Sequence, residues 1–212
     1  MGRLWVCKAG LRTRLCPFGG ASRGALIRFT LTHMRLFLAV DLPEAQKARV
    51  EALVEAWRPR VEAKWTRAEG RHVTLCFLGE TAEARLPSLQ AAMDAVAHRH
   101  GPHGLRVAGA GCFGPPSHPQ VLWLGLDGAL DAARALQADL AQALEVKDEH
   151  GAWRPHLTLA RSKTPRGDAA LLEVASAFQR ERFDDFTVAT FVLYESRGGR
   201  YFAQHTATLA AR

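Results

Sequence analysis

The alternation of apolar and polar residues along the chain predicts strands interleaved with helices. The run RLFLAVDLP from Arg35 has the length of a buried strand and ends at Pro43, and helical spacing follows over residues 44–60. Residues 72–79, HVTLCFLG, favour a strand, and residues 82–99 favour a second helix. The first half of the chain is therefore predicted to form strand, helix, strand and helix.

The second half of the chain continues this mixture. Its predicted elements are a strand or strand pair at 105–113, a buried strand at 121–127, an amphipathic helix at 129–145, a strand at 156–161, a helix at about 168–180 and two strands within 186–209. The last two strands meet at Gly198 and Gly199, which tolerate the positive φ of a tight hairpin. Because strands and helices mix without strict βαβ alternation, the predicted fold class is α+β.

An internal repeat relates the two halves. RLFLAVD matches VLWLGLD at an offset of 86, which aligns Asp41 with Asp127, and both copies continue into a helix. Farther along, HVTL at 72–75 matches HLTL at 156–159 at an offset of 84, so this alignment needs one small deletion. The repeat predicts two lobes related by an approximate two-fold axis, so that two equivalent strands face a shared cleft.

Each copy of the repeat carries one histidine and one threonine on a strand. Side chains alternate along a strand, so His72 and Thr74 share one face, and His156 and Thr158 share one face of the other copy. A single pattern of this kind is ordinary, but two copies within a repeat bring two imidazoles to one cleft. These four residues are the candidate site.

Two facing imidazoles can divide acid-base work near neutral pH, since histidine titrates near 6.5. One takes a proton from the attacking water or hydroxyl, and the other protonates the leaving oxygen. The threonine hydroxyls and a cation then stabilise charge on a phosphoryl group. This chemistry fits phosphodiester hydrolysis or transesterification and requires no metal or other cofactor. The sequence alone does not say which imidazole is the acid.

At these residues the chain resembles the two-histidine phosphoesterase superfamily, and within it the bacterial RNA 2′,3′-cyclic phosphodiesterases, also described as 2′–5′ RNA ligases. The similarity covers nearly all of 34–212, including MRLFLAVDLP, KWTRAEGRHVTLCFLGE, PQVLWLGLDG, RPHLTLAR and FVLYESR. It implies a bilobal α+β fold in which antiparallel-rich sheets flank a central cleft, helices lie outside and both motifs line the cleft. A longer loop is common in related chains where this one has the short SRGGRY turn.

The resemblance further implies that Arg161 contacts phosphate and that Phe77 packs on the nucleobase or ribose. Strand parity opposes both assignments, because a regular strand would direct Phe77 and Arg161 away from the face of His72 and His156. They reach the cleft only if the strands twist, bulge or end before these positions.

The resemblance implies hydrolysis of 2′,3′-cyclic phosphates on RNA or nucleotides to 2′-phosphates, with reverse 2′–5′ ligation under the same acid-base symmetry. A 2′,5′-phosphodiesterase is the second enzyme hypothesis. A non-catalytic binder of 2′-phosphorylated or cyclic RNA ends is the alternative outside enzymes. The expected partner is RNA with a cyclic end or a cyclic nucleotide, and we expect a monomer with no membrane partner.

The net charge of +7 lies almost entirely in the first 33 residues. That segment carries six basic residues and no acidic one, whereas residues 34–212 are nearly neutral with 22 basic and 21 acidic residues. The leader is expected to be a basic arm, a targeting segment or the product of a misassigned start before Met34. Residues 34–212 are expected to form the single bilobal domain.

Other residues are assigned ordinary roles. Four cysteines without C-x-x-C spacing indicate a reducing, cytoplasmic environment, and no apolar run approaches the roughly 20 residues of a membrane span. Cys76 is expected to be a small buried hydrophobe. The HRHGPH segment at 98–103 lacks a recognisable fourth metal ligand. Trp65 and Trp153 precede the motifs and are expected to pack at the core or rim.

Overall fold

The structure, a computed structural model, describes residues 32–146, 151–164 and 168–210. The strands are β1 His33–Asp41, β2 Ala63–Trp65, β3 His72–Ala82, β4 His103–Phe113, β5 Val121–Gly128, β6 His156–Ser162, β7 Phe186–Val188, β8 Thr190–Arg197 and β9 Arg200–Thr208. The helices are α1 Glu44–Glu55, α2 Leu86–Ala97, α3 Leu130–Ala143 and α4 Ala170–Phe178. The predicted α+β class is confirmed.

Apolar spacing explains how the helices pack against the sheet. Helix α3 buries Ala133, Leu136 and Leu140, which recur every three or four residues and so form one stripe. Along β3, Val73 is buried while its neighbours on either side are partly exposed. Each strand of the motif therefore has a core face and an opposite face on which polar side chains remain accessible.

The strand order shows the two-fold repeat. Within the described residues the strands form one antiparallel sheet in the order β7-β4-β5-β6-β3-β1-β8-β9, with β2 also paired to β6. The order is palindromic about the β6-β3 junction, so β6, β5 and β4 correspond to β3, β1 and β8. One residue pair, Val73 with Leu157, joins β3 to β6 at this junction. The predicted bilobal arrangement is thus built as a single continuous sheet.

The strand registers correct the alignment of the repeat. Asp41 pairs with His72, and Gly125 pairs with His156, so the offset is 84 in the first strand of each copy as well as in the second. The expected offset of 86, and the small deletion that it required, are wrong. Asp41 corresponds to Gly125 and not to Asp127. The two apolar runs also match when one is displaced by two residues. Because side chains alternate with a period of two along a strand, this displacement keeps the same face toward the core and satisfies the hydrophobic pattern.

A fully buried cation precedes the first motif. Arg71 is 0% exposed, forms an ion pair with Glu51 of α1, and its guanidinium donates to the carbonyl oxygens of Lys47 at 3.5 Å and Thr66 at 3.4 Å. Desolvation lowers the pKa of Arg71, and the charge of Glu51 opposes that effect. The pair ties α1 to the residue directly before His72.

The Arg71–Glu51 pair gives a stability prediction. Glu51→Ala leaves the buried guanidinium without its counter-charge and is expected to lower the free energy of unfolding by about 3–5 kcal/mol. Arg71→Met is expected to cost less, because the Glu51 side chain is 30% exposed and retains Arg58 at 2.8 Å. Urea unfolding of both variants measures the difference. An equal or larger loss for Arg71→Met would contradict this account.

The leader falls outside the described residues as far as residue 31. Strand β1 begins at His33, which pairs with Ala82, and the Glu83 amide donates to the carbonyl oxygen of Thr32 at 2.9 Å. We propose that residues 34–212 fold and act without the preceding segment. Among the described residues, a chain starting at Met34 loses only the contacts of Thr32 and His33 at the start of β1. Its melting temperature and its kcat/KM on a cyclic mononucleotide are therefore expected to match those of the full chain.

That prediction fails if the shortened chain does not fold or loses mononucleotide turnover. A selective loss of salt-sensitive affinity for long RNA would instead assign the leader to a basic arm. No helix in the described ranges is long and apolar enough to cross a membrane.

Candidate active site

The two motif strands meet at their first residues. Strand β3 begins at His72, β6 begins at His156, and the antiparallel pair Val73–Leu157 lies between them. Both apolar residues of that pair are buried, and the motif side chains on the opposite face are partly exposed. Those side chains are His72, Thr74, His156 and Thr158. All four predicted residues therefore lie on one face at the junction of the two halves.

The antiparallel register relates the two motifs to each other. Extending the Val73–Leu157 pair by one residue in either direction sets His72 opposite Thr158 and Thr74 opposite His156. Each imidazole then has the other motif's hydroxyl as its cross-strand neighbour. The charge of His156 lowers the pKa of His72, so the two rings are within electrostatic reach of each other.

Both motif strands carry a β-bulge at the same place. In β3, Thr74 and Cys76 pair with adjacent residues of β1, which leaves Leu75 as the extra residue. In β6, Leu159 is left over in the same way against β5. Both leucines are buried. The bulge reverses the parity of the residues that directly follow it, and Cys76 is consequently buried in the core, as expected from the sequence.

The bulges bring Phe77 and Arg161 to the motif face. Phe77 is 65% exposed, and its ring centroid lies 6.2 Å from that of Phe37. Arg161 is exposed, and its charge lowers the pKa of His156. Regular alternation would have directed both side chains into the core. At the common offset of 84 they are equivalent positions, so the two halves differ here by an aromatic ring and a cation.

Aromatic rings surround the first imidazole. The His72 ring lies 4.9 Å from Phe37 and 5.1 Å from Tyr201, the latter in edge contact. Burial lowers the pKa of His72 to about 4, and the nearby Lys47 acts in the same direction, whereas Asp41 partly opposes it. His72 is therefore neutral near pH 7 and can accept a proton.

Asp41 and Tyr194 form a polar pair beside His72. Asp41 is the cross-strand partner of His72, and the Tyr194 hydroxyl donates to Asp41 Oδ2 at 2.6 Å. Burial, that hydrogen bond and the negative carboxylate raise the pKa of Tyr194, so the phenol stays protonated. At the equivalent position of the second half, Gly125 stands opposite His156 in place of the carboxylate.

A backbone carbonyl orients the second imidazole. His156 Nδ1 lies 2.7 Å from the carbonyl oxygen of Arg154, and this geometry assigns a proton to Nδ1, which donates to that oxygen. Nε2 is the ring nitrogen that this hydrogen bond does not use. Phe113 packs edge-on against the ring at 4.8 Å. Burial lowers the pKa of His156, Arg161 lowers it further, and the carbonyl raises it.

The sequence profile of the 2′-5′ RNA ligase superfamily matches residues 42–200, a span that includes both motif strands and the bulges. The chain belongs to this superfamily. Its members are the two-histidine phosphoesterases, and the resemblance predicted from the sequence is confirmed.

Individual members of the superfamily resemble the chain over most of its length. A Thermus thermophilus protein named RNA 2′,3′-cyclic phosphodiesterase is 36% identical over 143 residues, 62% of this chain and 70% of that protein. One of the same name from Archaeoglobus fulgidus is 28% identical over 166 residues, 77% of this chain and 91% of that protein.

Solved structures resemble the fold. A Thermus thermophilus crystal structure has a TM-score of 0.63 at 29% identity and covers 84% of this chain and 99% of its own. E. coli LigT complexed with 3′-AMP has a TM-score of 0.61 at 23% identity with the same coverage. These likenesses confirm the predicted bilobal α+β fold.

Two tryptophans lie just before the two motif strands, and each donates a hydrogen bond to a backbone carbonyl. Trp153 Nε1 donates to the carbonyl oxygen of Thr74 at 2.9 Å, which ties the loop before β6 to the first motif strand. Trp65 Nε1 donates to the carbonyl oxygen of Val61 at 3.2 Å. Both rings are partly buried against the core, so the expectation of core or rim packing is confirmed.

The histidines of HRHGPH have separate partners. His98 contacts the backbone of its own helix, His100 pairs with Asp139 of α3 at 3.0 Å, and His103 contacts the carbonyl oxygen of Gly101. They do not converge on one point. Among the described residues no group of three or more metal-ligating side chains is found.

Sequence reasoning missed the aromatic and acidic neighbours of the two imidazoles. These are Phe37, Asp41, Phe113, Tyr194 and Tyr201. Phe37 and Asp41 fall at even spacings on β1, so their shared face with the motif was available from strand periodicity once the register was known. The other three lie on β4, β8 and β9, and no local pattern places those strands beside the motifs.

Proposed function

We propose that the chain hydrolyses 2′,3′-cyclic phosphates at RNA ends or on nucleotides to 2′-phosphates, using His72 and His156 as a proton acceptor and donor. The observation that carries the proposal is the meeting of the two His-Thr pairs at Val73–Leu157 on one accessible face. Relatives named RNA 2′,3′-cyclic phosphodiesterase, similar over most of the chain, support the choice of substrate.

Different surroundings assign different tasks to the two imidazoles. His72, with a pKa of about 4, is the base because it is neutral over the whole neutral range. Asp41 beside it stabilises the imidazolium that forms when the proton is taken. His156 is the acid in this scheme: burial and Arg161 lower its pKa, but the Arg154 carbonyl accepts from Nδ1–H and opposes that effect, so Nε2 is the nitrogen that carries the transferred proton.

The hydrolytic step balances with one water. The water oxygen attacks phosphorus and its proton passes to His72, while the bond from phosphorus to O3′ breaks and His156 Nε2 gives its proton to O3′. The product carries a 2′-phosphate and a free 3′-hydroxyl. His72 then releases its proton to solvent and His156 takes one up, and the low pKa of His72 favours the first of these transfers.

The remaining predicted residues bind the substrate in this scheme. Thr74 and Thr158 donate hydroxyl hydrogen bonds to the phosphoryl oxygens, and Arg161 supplies positive charge next to His156. Phe77, largely exposed on the motif face of β3, offers a face on which a base or ribose packs. No step requires a metal or another cofactor.

The threonines give a prediction of intermediate size. Thr74→Ala and Thr158→Ala each remove one hydrogen bond to a charged oxygen, worth about 1.5–3 kcal/mol, so kcat/KM is expected to fall about 10- to 150-fold. Thr74→Ser and Thr158→Ser keep the hydroxyl and are the matched controls. Initial rates on a cyclic mononucleotide measure all four. Normal rates for both alanine variants would remove the threonines from the site.

Ligation through a 2′–5′ bond uses the same groups in the same direction as hydrolysis. A 5′-hydroxyl replaces water as the attacking group on the cyclic phosphate, and acid and base keep their roles. An assay for ligation uses one RNA fragment with a 2′,3′-cyclic end and one with a 5′-hydroxyl, and detects the 2′–5′ junction. Its absence would leave the hydrolytic proposal standing.

Product identification tests the proposed function. RNA bearing a 2′,3′-cyclic phosphate is incubated with the protein, with and without EDTA, and the ends are analysed. A 2′-phosphate formed equally with EDTA supports the proposal, and a 3′-phosphate or a metal-dependent rate contradicts it. Tight binding without turnover would favour the non-catalytic binder, and cleavage of an internal 2′–5′ linkage alone would favour the 2′,5′-phosphodiesterase.

A further inference from the structure

Two cations stand side by side on the motif face beyond His156. Strand β2 pairs with the end of β6, which sets Lys64 directly opposite Arg161. Opposed residues of an antiparallel pair share a face, and both of these are exposed, whereas the next pair on the strand includes the buried Ala160. The bulge at Leu159 thus brings Lys64 to the motif face together with Arg161.

This arrangement is electrostatically unfavourable in the absence of an anion. Like charges directly opposite each other in a sheet destabilise it. Neither Lys64 nor Arg161 forms an ion pair with a carboxylate of the described residues. The neighbouring Lys163, in contrast, pairs with Glu62 at 2.9 Å. Two adjacent cations without a counter-charge, next to a phosphate-handling site, are what an anion subsite requires.

The two cations lie to one side of the reacting phosphate, along β6 and β2. Strands β3 and β6 overlap only at their first residues, and β6 then continues with β2 beside it. Arg161 is the third residue after Thr158, which at about 3.3 Å per residue is at most about 10 Å along the strand. Phe77 lies in the opposite direction, along β3. A phosphate held between the imidazoles therefore has an aromatic surface on one side and two cations on the other.

We infer that Lys64, with Arg161, binds the phosphodiester that adjoins the cyclic end in an RNA chain. The inference rests on the proposed function and goes beyond it by making an oligonucleotide the preferred substrate. A cyclic mononucleotide has one phosphate, and the histidines and threonines occupy it. A second phosphate exists only where the terminal nucleotide is attached to a chain. Arg161 lies between the two phosphates, and Lys64 contacts only the second.

The test compares Lys64→Ala with the wild-type protein on two substrates, a cyclic mononucleotide and a short oligonucleotide with a 2′,3′-cyclic end. One phosphate contact to a single strand contributes a salt slope of about −0.7. The expected loss in kcat/KM on the oligonucleotide is therefore about eightfold at 50 mM salt and about threefold at 200 mM, carried by KM. Turnover of the mononucleotide is expected to stay within about twofold.

Two further variants serve as controls. Lys64→Arg keeps the charge and is expected to retain the preference for the oligonucleotide. Arg134→Ala removes an exposed cation from α3, where it pairs with Asp131 at 2.9 Å, and is expected to change neither substrate. Equal losses on both substrates, or no loss on the oligonucleotide at 50 mM salt, would overturn the assignment of Lys64.

A binding measurement separates this inference from the proposed function. Fluorescence anisotropy with an oligonucleotide ending in a 2′-phosphate does not depend on turnover. If the wild-type protein turns over neither substrate, the proposed function is wrong, and the Lys64→Ala effect on affinity and on its salt slope still decides the subsite. An unchanged salt slope for Lys64→Ala overturns the inference in either case.

Discussion

Replacing His72 or His156 with alanine is expected to lower kcat/KM on a cyclic mononucleotide by about 10²–10⁴-fold, the usual contribution of a positioned acid or base. In the proposed mechanism both imidazoles serve one transition state, so the double variant is expected to be far less impaired than the product of the single losses. Steady-state rates of the three variants measure this. A single variant that keeps near-normal turnover while folded would refute the paired mechanism.

His98→Ala is the matched control for these variants. His98 lies at the end of α2, and its ring contacts the backbone of that helix rather than the motif face. Its removal deletes an imidazole from the same chain without touching the site, and turnover is expected to be unchanged. Circular dichroism and melting temperature establish that the His72 and His156 variants remain folded. If an alanine variant loses its fold as well as its activity, His72→Gln and His156→Gln replace it in the test, because glutamine keeps more of the side-chain volume.

The architecture could be predicted because the repeat and the apolar patterns are local properties of the sequence. Runs such as 72–79 and 121–127 have strand periodicity, and the two motif copies imply a two-fold arrangement. The register between strands was not predictable in the same way. An alignment displaced by two residues preserves the core face, so the false match of Asp41 to Asp127 satisfied the hydrophobic pattern as well as the true one.

The bulges explain why the four motif residues were found from sequence and their neighbours were not. His72 and Thr74 precede the bulge, so simple alternation places them correctly. Phe77 and Arg161 follow it, so predicting the face on which they lie required knowing about the bulge. No residue type in the two strands indicates that a bulge is present. The resemblance to a known family indicated them, and strand parity alone would have rejected them.

The contacts between distant strands were also beyond the reach of the sequence. Tyr194 is 153 residues from Asp41, yet its hydroxyl bonds to that carboxylate because β8 lies beside β1 in the sheet. This neighbour makes the two halves unequal, since Gly125 replaces the carboxylate in the second. The repeat predicted equivalent imidazoles, and the different surroundings of His72 and His156 are the basis on which the proposed mechanism assigns the base and the acid.

The pH dependence of kcat/KM is expected to be bell-shaped with its maximum on the acid side of neutrality. The base His72 must be neutral, so activity rises with pH through about 4. The acid His156 must be protonated, and burial and Arg161 lower its pKa below the usual 6.5. Activity is therefore expected to fall as pH rises above 6.5, with a slope that approaches about tenfold per pH unit. A rate constant that stays level or rises between pH 6.5 and 8.5 would contradict this assignment.

Arg161→Ala tests the origin of the descending limb. The guanidinium lowers the pKa of His156, so its removal raises that pKa and moves the limb to higher pH. Arg161→Lys keeps a positive charge and is expected to leave the limb near its original position, although both variants lose rate. The ascending limb belongs to His72, whose pKa is set first by burial and then by Asp41, Lys47 and His156, and it is expected to stay in place. A shift of the ascending limb alone in Arg161→Ala would exchange the acid and the base.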